Sequence, residues 1–301
     1  MSSTQTNKGS GRIGPSGLLV VDKPPAWTSH DVVAKLRGVL GTRKVGHAGT
    51  LDPDATGVLL VGVGKVTRLL RFLSATTKAY VGEVVLGVET STLDAAGDVV
   101  ATHAMAGVTL AQVESAATGF VGEIDQVPPM VSAVQVGGKR LHELARAGIE
   151  IEREARRVTV QRFDVTATPD PLVYAIAVEC SSGTYVRSLA ADLGAALGGG
   201  AHLRALRRTR VGSFTIDDAI ALEAASVDRL LTPADALRDL DAVTVDGELQ
   251  VAVGHGKVLP LDDLGVGGDG PWRVLDPAGD LLAVYEPHKP GTAKPSVVLP
   301  T

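Results

Sequence analysis

The chain has 301 residues, of which 45% are hydrophobic and 21% are charged, a composition typical of a globular protein rather than a disordered one. Cys180 is the only cysteine, which excludes an internal disulfide and a cysteine-rich metal site and leads us to expect a reducing, cytoplasmic location. No apolar run approaches the roughly 20 residues of a membrane span. Residues 1–16 are polar and Gly/Ser-rich and are expected to form a disordered tail.

The net charge of −5 is unevenly distributed. Residues 217–301 contain 6 basic and 15 acidic residues, a net charge of −9, which leaves +4 for residues 1–216. Basic residues outnumber acidic ones by seven to two in 35–71 and by five to one in 187–210. Because a polyanion binds to local patches, these segments permit a nucleic-acid partner, although a solvated basic surface would look the same.

Short apolar runs and helical periodicities alternate along the first two thirds of the chain. Strands are predicted at 17–21, 58–64, 79–88, 156–167 and 172–180, and helices at 29–40 with Ser29 as the cap, 65–73, 109–120, 141–148 and 185–197. The polar, Gly-rich stretch 43–57 has neither the apolar spacing of a helix nor that of a strand, and it is predicted to be a loop. Interleaving without a regular βαβ rhythm indicates an α+β fold with a mixed, largely antiparallel sheet.

The C-terminal part has a different character. From about residue 243 onward, short strands separated by Asp-Gly, His-Gly and Ala-Gly turns are predicted, including strands within 243–258. We therefore expect a small β-rich domain at 243–301, after a larger domain at 17–240.

Several common catalytic motifs are absent. The segment GVGKVT at 62–67 fails the phosphate-binding pattern because Val66 follows Gly64-Lys65, and no dinucleotide, zinc-protease or serine-hydrolase motif is present. What remains is the loop VGHAGTLDPDATGVL at 45–59, where glycines surround Asp52 and Asp54. Either carboxylate could act as a nucleophile or a base, and an Asp-Pro turn is the simpler interpretation.

A second candidate lies at CSSGTYVRSLAADLG, residues 180–194, where an apolar strand passes through Gly183 into a helix. Tyr185 and Arg187 would emerge near the end of that strand, where sites tend to lie. By themselves, however, these two residues are more simply interpreted as a tyrosine that packs and an arginine that forms a surface ion pair.

Five blocks of the chain resemble the TruB family of bacterial tRNA pseudouridine-55 synthases. They are GLLVVDKPPAWTSHDVV, VGHAGTLDPDATGVLLVGVGKVTR, TTKAYVGEVVLGVETSTLDAAGDVV, IDQVPPMVSAVQVGGKRLHELARAGIEIEREARRV and SSGTYVRSLAADLG. They occur in order over residues 17–212, so chance agreement is negligible. The resemblance implies a catalytic domain of pseudouridine-synthase type at 17–240, an RNA-gripping insertion at about 124–158, and a PUA-like domain at 243–301.

The resemblance also implies an activity and the residues that perform it. A family member isomerises uridine 55 in the T-loop of tRNA to pseudouridine after flipping the base into a pocket. It needs no cofactor and no metal, and it is expected to be a monomer that binds the T-arm and no membrane. The implied roles are Asp52 as the catalytic carboxylate, Arg187 as the partner that lowers its pKa, His47 in the space left by the flipped base, Tyr80 stacked on the uracil, and Tyr185 and Leu206 lining the pocket.

Phosphate contacts are assigned by the same resemblance to basic residues, namely Lys35, Arg37, Arg43, Lys44, Lys65, Lys139, Arg140 and the group from Arg204 to Arg210. Two alternatives stay open: a tRNA-binding or folding factor, and a uridine isomerase that acts on another RNA.

Overall fold

The computed structural model describes residues 14–130, 132, 135–136, 139–140, 151 and 153–299. Nearly all of the expected N-terminal tail, the helix predicted at 141–148 and much of the 124–158 insertion lie outside these residues. No helix in the described part of the chain is long and apolar enough to span a membrane.

Strands outnumber helices in the described part of the chain, and several strands follow one another without a helix between them. In chain order, the strands are β1 (Gly17–Lys23), β2 (Val45–Ala48), β3 (Thr56–Val63), β4 (Lys78–Leu86), β5 (Val88–Thr90), β6 (Val99–Thr102), β7 (Gly122–Gln126), β8 (Gln135–Val136), β9 (Lys139–Arg140), β10 (Arg156–Ala167), β11 (Val173–Cys180), β12 (Ala201–Val211), β13 (Phe214–Thr215), β14 (Ile220–Ala221), β15 (Asp241–Thr244), β16 (Leu259–Pro260), β17 (Trp272–Leu275), β18 (Leu281–Pro287) and β19 (Thr292–Val298). The helices are α1 (Ser29–Val39), α2 (Leu70–Ser74), α3 (Leu110–Thr118), α4 (Val186–Ala196), α5 (Pro233–Ala236), α6 (Gly247–Gly254) and α7 (Leu261–Leu264).

A ten-stranded sheet organises the larger part of the chain. Its main path is β14-β1-β3-β12-β4-β11-β10-β7, with β2 paired to β3 and β13 paired to β12. The β1–β14 and β3–β12 pairs are parallel, and the other pairs in this sheet are antiparallel. The predicted mixed, largely antiparallel sheet is therefore confirmed.

Both faces of this sheet are covered. Successive side chains of a strand point to opposite faces, so β3 sends Leu59 and Val61 to one core and Val58 and Leu60 to the other. The first core contains apolar residues of α1, α3 and α4. The second contains residues of α2 and, from the C-terminal sheet, residues such as Val284. A strand buried on both faces explains the continuous apolar run of β3.

The C-terminal residues form a five-stranded sheet in the order β15-β17-β18-β19-β16. One prediction in this part was wrong, because residues predicted as strand form helix α6. The valines of this segment favour a strand locally, but the helical turn buries Val253 in the core of this small sheet, and tertiary packing outweighs propensity. The division between a 17–240 domain and a 243–301 domain stays a prediction.

Two local predictions also need correction. The cap of α1 is Thr28, whose side chain accepts a hydrogen bond from the Asp31 backbone N–H, and Ser29 is the first residue inside the helix. The predicted loop 43–57 is shorter than expected, because Val45–Ala48 pairs with β3 as strand β2. A four-residue strand with a glycine in it has too little pattern to be distinguished from a loop.

Candidate active site

Residues 49–55 connect β2 to β3 and carry Asp52; we call this segment the 49–55 loop. It lies at the centre of the larger sheet, because β3 is flanked by β1 on one side and by β12 on the other. Gly49 has a φ of 80°, a left-handed conformation that favours glycine. Gly57, just after the loop, has a φ of 99° and approaches the Arg208 backbone so closely that an added Cβ would lie 2.1 Å from the Arg208 carbonyl oxygen.

Three buried side chains hold the backbone of the 49–55 loop. The Ser29 hydroxyl accepts a hydrogen bond from the Leu51 N–H at 2.9 Å and donates to the Leu51 carbonyl at 3.2 Å. The Lys23 ammonium donates to the Pro53 carbonyl at 2.8 Å. Arg208 donates to the Gly49 carbonyl at 3.2 Å and to the Val58 carbonyl at 2.7 Å. Both neighbours of Asp52 are thus bonded to side chains from elsewhere in the fold.

Removal of the Ser29 hydroxyl tests whether this arrangement matters for chemistry. In Ser29→Ala the buried N–H and carbonyl of Leu51 lose their partner, which costs about 1–3 kcal/mol of stability and lets Asp52 shift. A displacement near 1 Å lowers a catalysed rate by about 10²-fold, so we expect a 10- to 100-fold slower single-turnover reaction with substrate affinity retained. Ser29→Thr restores the hydroxyl and should restore the rate; if it does not, the hydroxyl is not what positions Asp52.

Asp52 and Arg187 form a bidentate ion pair. Arg187 Nε lies 3.0 Å from Asp52 Oδ2, and Nη2 donates to Oδ1 at 3.2 Å. The Arg187 side chain is only 5% exposed, whereas that of Asp52 is 43% exposed, so the carboxylate can meet a ligand while its partner stays fixed. The planar guanidinium holds both carboxylate oxygens in one orientation.

A second carboxylate shares the same guanidinium. Asp94 Oδ2 lies 3.4 Å from Arg187 Nη1, which also donates to the Thr92 carbonyl at 3.0 Å. The Thr92 hydroxyl donates to Asp94 Oδ1 and fixes that side chain. Arg187 therefore lies between two carboxylates, and Asp94 orients it from the side opposite Asp52.

The pKa of Asp52 differs in direction from the prediction. Burial raises the pKa of this carboxyl above its ordinary value; the Arg187 charge lowers it and the Asp94 charge raises it. The expected lowering by Arg187 is present, but the prediction of a lowered pKa was wrong because desolvation outweighs it. A carboxyl with a raised pKa is a stronger base once it is ionised.

Asp52 and Arg187 line a cavity of about 260 Å³. Tyr80 on β4, Tyr185 at the start of α4 and Leu206 on β12 also line it, so five of the six predicted site residues meet at one place. Tyr80 is buried, and this burial raises the pKa of its phenol. An aromatic ring, a carboxylate and an aliphatic side chain around one small cavity form a suitable pocket for a planar, polar ring.

Gln126 fixes the wall of the cavity at Tyr185. Its amide oxygen accepts from the Tyr185 N–H at 2.7 Å, and its amide nitrogen donates to the Tyr185 carbonyl at 3.1 Å. Gln126 is buried at the end of β7, near the start of the segment predicted to grip RNA. It thus fixes the N-terminal end of α4, two residues before Arg187.

His47 is the predicted site residue that the structure does not place among those lining this cavity. It lies on β2, half-buried, with its ring in an edge contact with that of His30 at 5.4 Å between centroids. Burial lowers the pKa of His47 to about 4, and the charges of His30 and Arg208 act in the same direction. The ring is therefore neutral at physiological pH.

This pKa makes His47 a source of acid sensitivity. Because the folded-state pKa lies below the unfolded value near 6.5, the unfolded chain binds a proton first and stability falls as the pH drops from 6.5 towards 4. We expect His47→Gln to remove about 1–2 kcal/mol of that loss, after allowance for the partial exposure of the ring. Urea unfolding of both proteins at pH 7.5 and 4.5 measures this. A stability difference that is the same at both pH values would contradict it.

Sequence reasoning missed several residues of this site, namely Lys23, Ser29, Thr92, Asp94 and Gln126. All five lie in the blocks that carry the resemblance, but each acts through a hydrogen bond or ion pair to a residue far away in the sequence, and the motifs do not show these bonds. Arg208 was assigned to a surface phosphate contact, and this assignment was wrong because its side chain is buried. Arg204, Arg207 and Arg210 are more exposed and pair with Glu83, Asp22 and Glu179, respectively.

Within the described residues, no group of three or more His, Cys, Asp or Glu side chains could hold a metal ion. The polar groups that line the cavity include one carboxylate paired to Arg187, two tyrosines and the cations Lys78 and Arg208. Such a set suits proton transfer or nucleophilic attack on a bound organic ring.

Comparison with known proteins identifies the family of the chain. A model of the TruB family pseudouridylate synthase N-terminal domain matches residues 37–186, and one of the tRNA pseudouridylate synthase B C-terminal domain matches residues 187–240. The chain is 44% identical over 298 residues to tRNA pseudouridine synthase B of Arthrobacter sp. (strain FB24), covering 94% of this chain and 96% of that relative. It is 53% identical over 245 residues to the protein of that name from Symbiobacterium thermophilum, covering 80% and 82%.

Solved structures show the same fold. The chain is similar to one in a crystal structure of a Cbf5-Nop10-Gar1 complex, with a TM-score of 0.71 and 29% identity over 90% of this chain and 78% of that one. It is also similar to a chain of an H/ACA RNP bound to a substrate RNA containing 2′-deoxyuridine, with a TM-score of 0.68, 26% identity and coverage of 90% and 77%. This chain belongs to the TruB family of pseudouridylate synthases.

Proposed function

We propose that this protein converts uridine 55 in the T-loop of tRNA to pseudouridine, with Asp52 as the catalytic carboxylate. The observation that carries the proposal is the bidentate Asp52–Arg187 pair on the wall of a cavity that also contains Tyr80. The tRNA substrate is supported by the curated relatives, which are named tRNA pseudouridine synthase B.

The reaction breaks the bond between ribose C1′ and N1 of uracil, rotates the base and rejoins it through C5. The target base has to leave its stack in the folded RNA, which costs a few kcal/mol. Stacking on Tyr80, typically worth about 1–3 kcal/mol, offsets that cost, and Leu206 and Tyr185 bound the rest of the pocket. Asp52 then acts on the exposed nucleotide while Arg187 keeps its carboxylate oriented.

The two alternatives differ from this proposal in measurable ways. A tRNA-binding or folding factor would bind tRNA without releasing the C5 hydrogen. A uridine isomerase for another RNA would act poorly on the tRNA T-arm. Arg187 is buried between Asp94 and a carboxylate that stays accessible in the cavity, and this arrangement favours catalysis over binding alone because it holds Asp52 in a fixed orientation towards a ligand.

We also propose the supporting organisation of the molecule. The 17–240 part carries the site, the 124–158 segment grips the RNA, the 243–301 part is a PUA-like domain, and the protein works as a cytoplasmic monomer without a cofactor. Lys35, Arg37, Arg43 and Lys44 are the first candidates for phosphate contacts, since all four are charged residues on or just after α1.

The test is tritium release from tRNA that is labelled at uracil C5. Wild-type protein should release one tritium per tRNA into water, and replacement of uridine 55 by cytidine should abolish this release. No release from the uridine-containing tRNA would favour the binding factor. Undiminished release from the cytidine-55 tRNA would show that another uridine is the target.

A further inference from the structure

Two buried cations in the cavity play no part in the Asp52–Arg187 pair. Lys78 and Arg208 both line the cavity, and both are almost fully buried. They lie on adjacent strands, β4 and β12, and converge on Gly49: a Cβ added to this glycine would lie 3.5 Å from Arg208 Nη1 and 3.6 Å from Lys78 Cε. We call Lys78 and Arg208 the cationic floor.

The described residues supply the cationic floor with neutral partners and no carboxylate. Lys78 donates to the carbonyls of Ser74 and Thr76, at 2.9 Å each. Arg208 donates to the carbonyls of Gly49 and Val58. Asp52, the carboxylate that lines the same cavity, is engaged by Arg187. Two neighbouring positive charges are thus held out of water without a counter-charge, an expensive arrangement in a fold that had no use for it.

Burial lowers the pKa of Lys78 to about 8, and the charge of Arg208 acts in the same direction. The ammonium is therefore still mostly protonated at neutral pH, although it is poorly solvated. A positive charge in a site that excludes water acts strongly on any negative charge that develops beside it. The cavity is thus prepared for a ligand that becomes anionic.

We propose that Lys78 and Arg208 form a binding site for the carbonyl oxygens of the target uracil and stabilise the negative charge that the base acquires when its bond to ribose breaks. This inference rests on the proposed function. When the N1–C1′ bond breaks, its electron pair stays on the base, which becomes an anion with charge on O2 and O4. The electron-deficient C1′ lies beside the Asp52 carboxylate. After the base turns, C5 supplies the electron pair for the new bond to C1′, the C5 proton leaves to water, and N1 takes up a proton.

The pocket would then have one negatively charged end and one positively charged end. A carboxylate on the 49–55 loop faces the sugar, where positive charge develops, and the cationic floor faces the base, where negative charge develops. Tyr80 on β4 is the cross-strand neighbour of Arg208, which places the proposed stacking ring next to the floor. A phosphate is the other anion that RNA could offer, but fully buried cations suit a base that enters the cavity better than a backbone that stays at its mouth.

The test uses Lys78→Gln, whose amide can still donate to the carbonyls of residues 74 and 76, and Lys78→Met, which cannot. Loss of one preorganised stabilising group lowers a rate by about 10²- to 10³-fold, so both variants should convert natural tRNA at least about 10²-fold more slowly than wild type. On tRNA with 5-fluorouridine at the target, whose base is the more stable anion, the defect in bond cleavage should shrink by at least tenfold. Cleavage is measured by nuclease digestion and chromatography of the nucleosides.

Lys257→Met removes an exposed lysine far along the chain and is the matched control, with rates unchanged on both substrates. An equal defect of the Lys78 variants on the two substrates would overturn the inference, as would a wild-type rate in both. The slope of the logarithm of the tRNA-binding constant against the logarithm of salt concentration is a further check. If this slope is about one unit smaller in magnitude for the Lys78 variants, Lys78 contacts a phosphate instead, and this result would also overturn the inference. If wild-type protein releases no tritium from tRNA, the proposed function is wrong. If wild-type protein releases tritium and the Lys78 variants release it at the same rate, only the inference about Lys78 and Arg208 is wrong.

Discussion

Asp52→Asn is expected to abolish tritium release from C5-labelled tRNA, with the single-turnover rate at least about 10³-fold below wild type. Asparagine has the shape of aspartate and can keep one hydrogen bond to Arg187, but it is neither a nucleophile nor a base. The substitution also leaves Arg187 its contacts with Asp94 and Thr92, so the guanidinium should stay in place. We therefore expect the fold and the affinity for tRNA to survive.

The control for this prediction is Asp54→Asn, two residues further along the same loop. Asp54 was an equal candidate on composition, but it is exposed and forms no ion pair with a described residue, whereas Asp52 is held by Arg187. The Asp54→Asn protein should retain a single-turnover rate within about threefold of wild type, as expected for a surface substitution. Equal tritium release by wild type and Asp52→Asn would remove Asp52 from the mechanism, and inactivity of Asp54→Asn alone would transfer the role to Asp54.

Arg187→Met is expected to affect both stability and activity. The substitution leaves Asp52 and Asp94 facing each other without their shared counter-charge. Breaking a fully buried pair costs about 3–5 kcal/mol, and we expect a smaller loss of stability here because solvent reaches the 43% of Asp52 that is exposed. Asp52 also loses the two contacts that orient it, so we expect the single-turnover rate to fall by about 10²-fold or more in the molecules that remain folded. Urea unfolding and tritium release, measured in parallel, separate the two effects.

Arg187→Lys distinguishes charge from geometry. Lysine restores a positive charge between the carboxylates but cannot hold both oxygens of Asp52 in the plane of a guanidinium. Most of the stability should return, while the rate should stay at least about tenfold below wild type. A full return of the rate would show that charge alone is needed. An Arg187→Met protein with wild-type activity would make the pair a structural feature only.

Much of the larger sheet could be predicted from the sequence, because the hydrophobic pattern of a strand or helix is contained within a few neighbouring residues. Alternating or continuous apolar runs identified β1, β3, β10 and β11, and helices were predicted correctly where α1 and α3 form. Helix α6 could not be predicted, because its valines favour a strand and only the packing of Val253 decides the outcome.

The site was predictable to the extent that the family resemblance assigns roles to its residues. Asp52, Tyr80 and Arg187 were named from the resemblance and do line one cavity. The residues that hold them could not be found, because their bonds join positions far apart in sequence: Ser29 is 22 residues from Leu51, and Arg208 is 150 from Val58. Nothing in a serine or an arginine by itself indicates which distant carbonyl it will bind.

The core shared by the two sheets suggests a reason for the net negative charge of the C-terminal residues. Leu281, Val284 and Val297 pack in the same cluster as Leu18 and Val58 of the central sheet. A chain without the C-terminal strands would therefore present that apolar face to solvent, with the tendency to aggregate that such faces bring. The C-terminal sheet therefore covers one face of the larger sheet, whether or not it contacts RNA. Most of its carboxylates are exposed, and negative charge on this surface opposes non-specific binding of a polyanion such as nucleic acid.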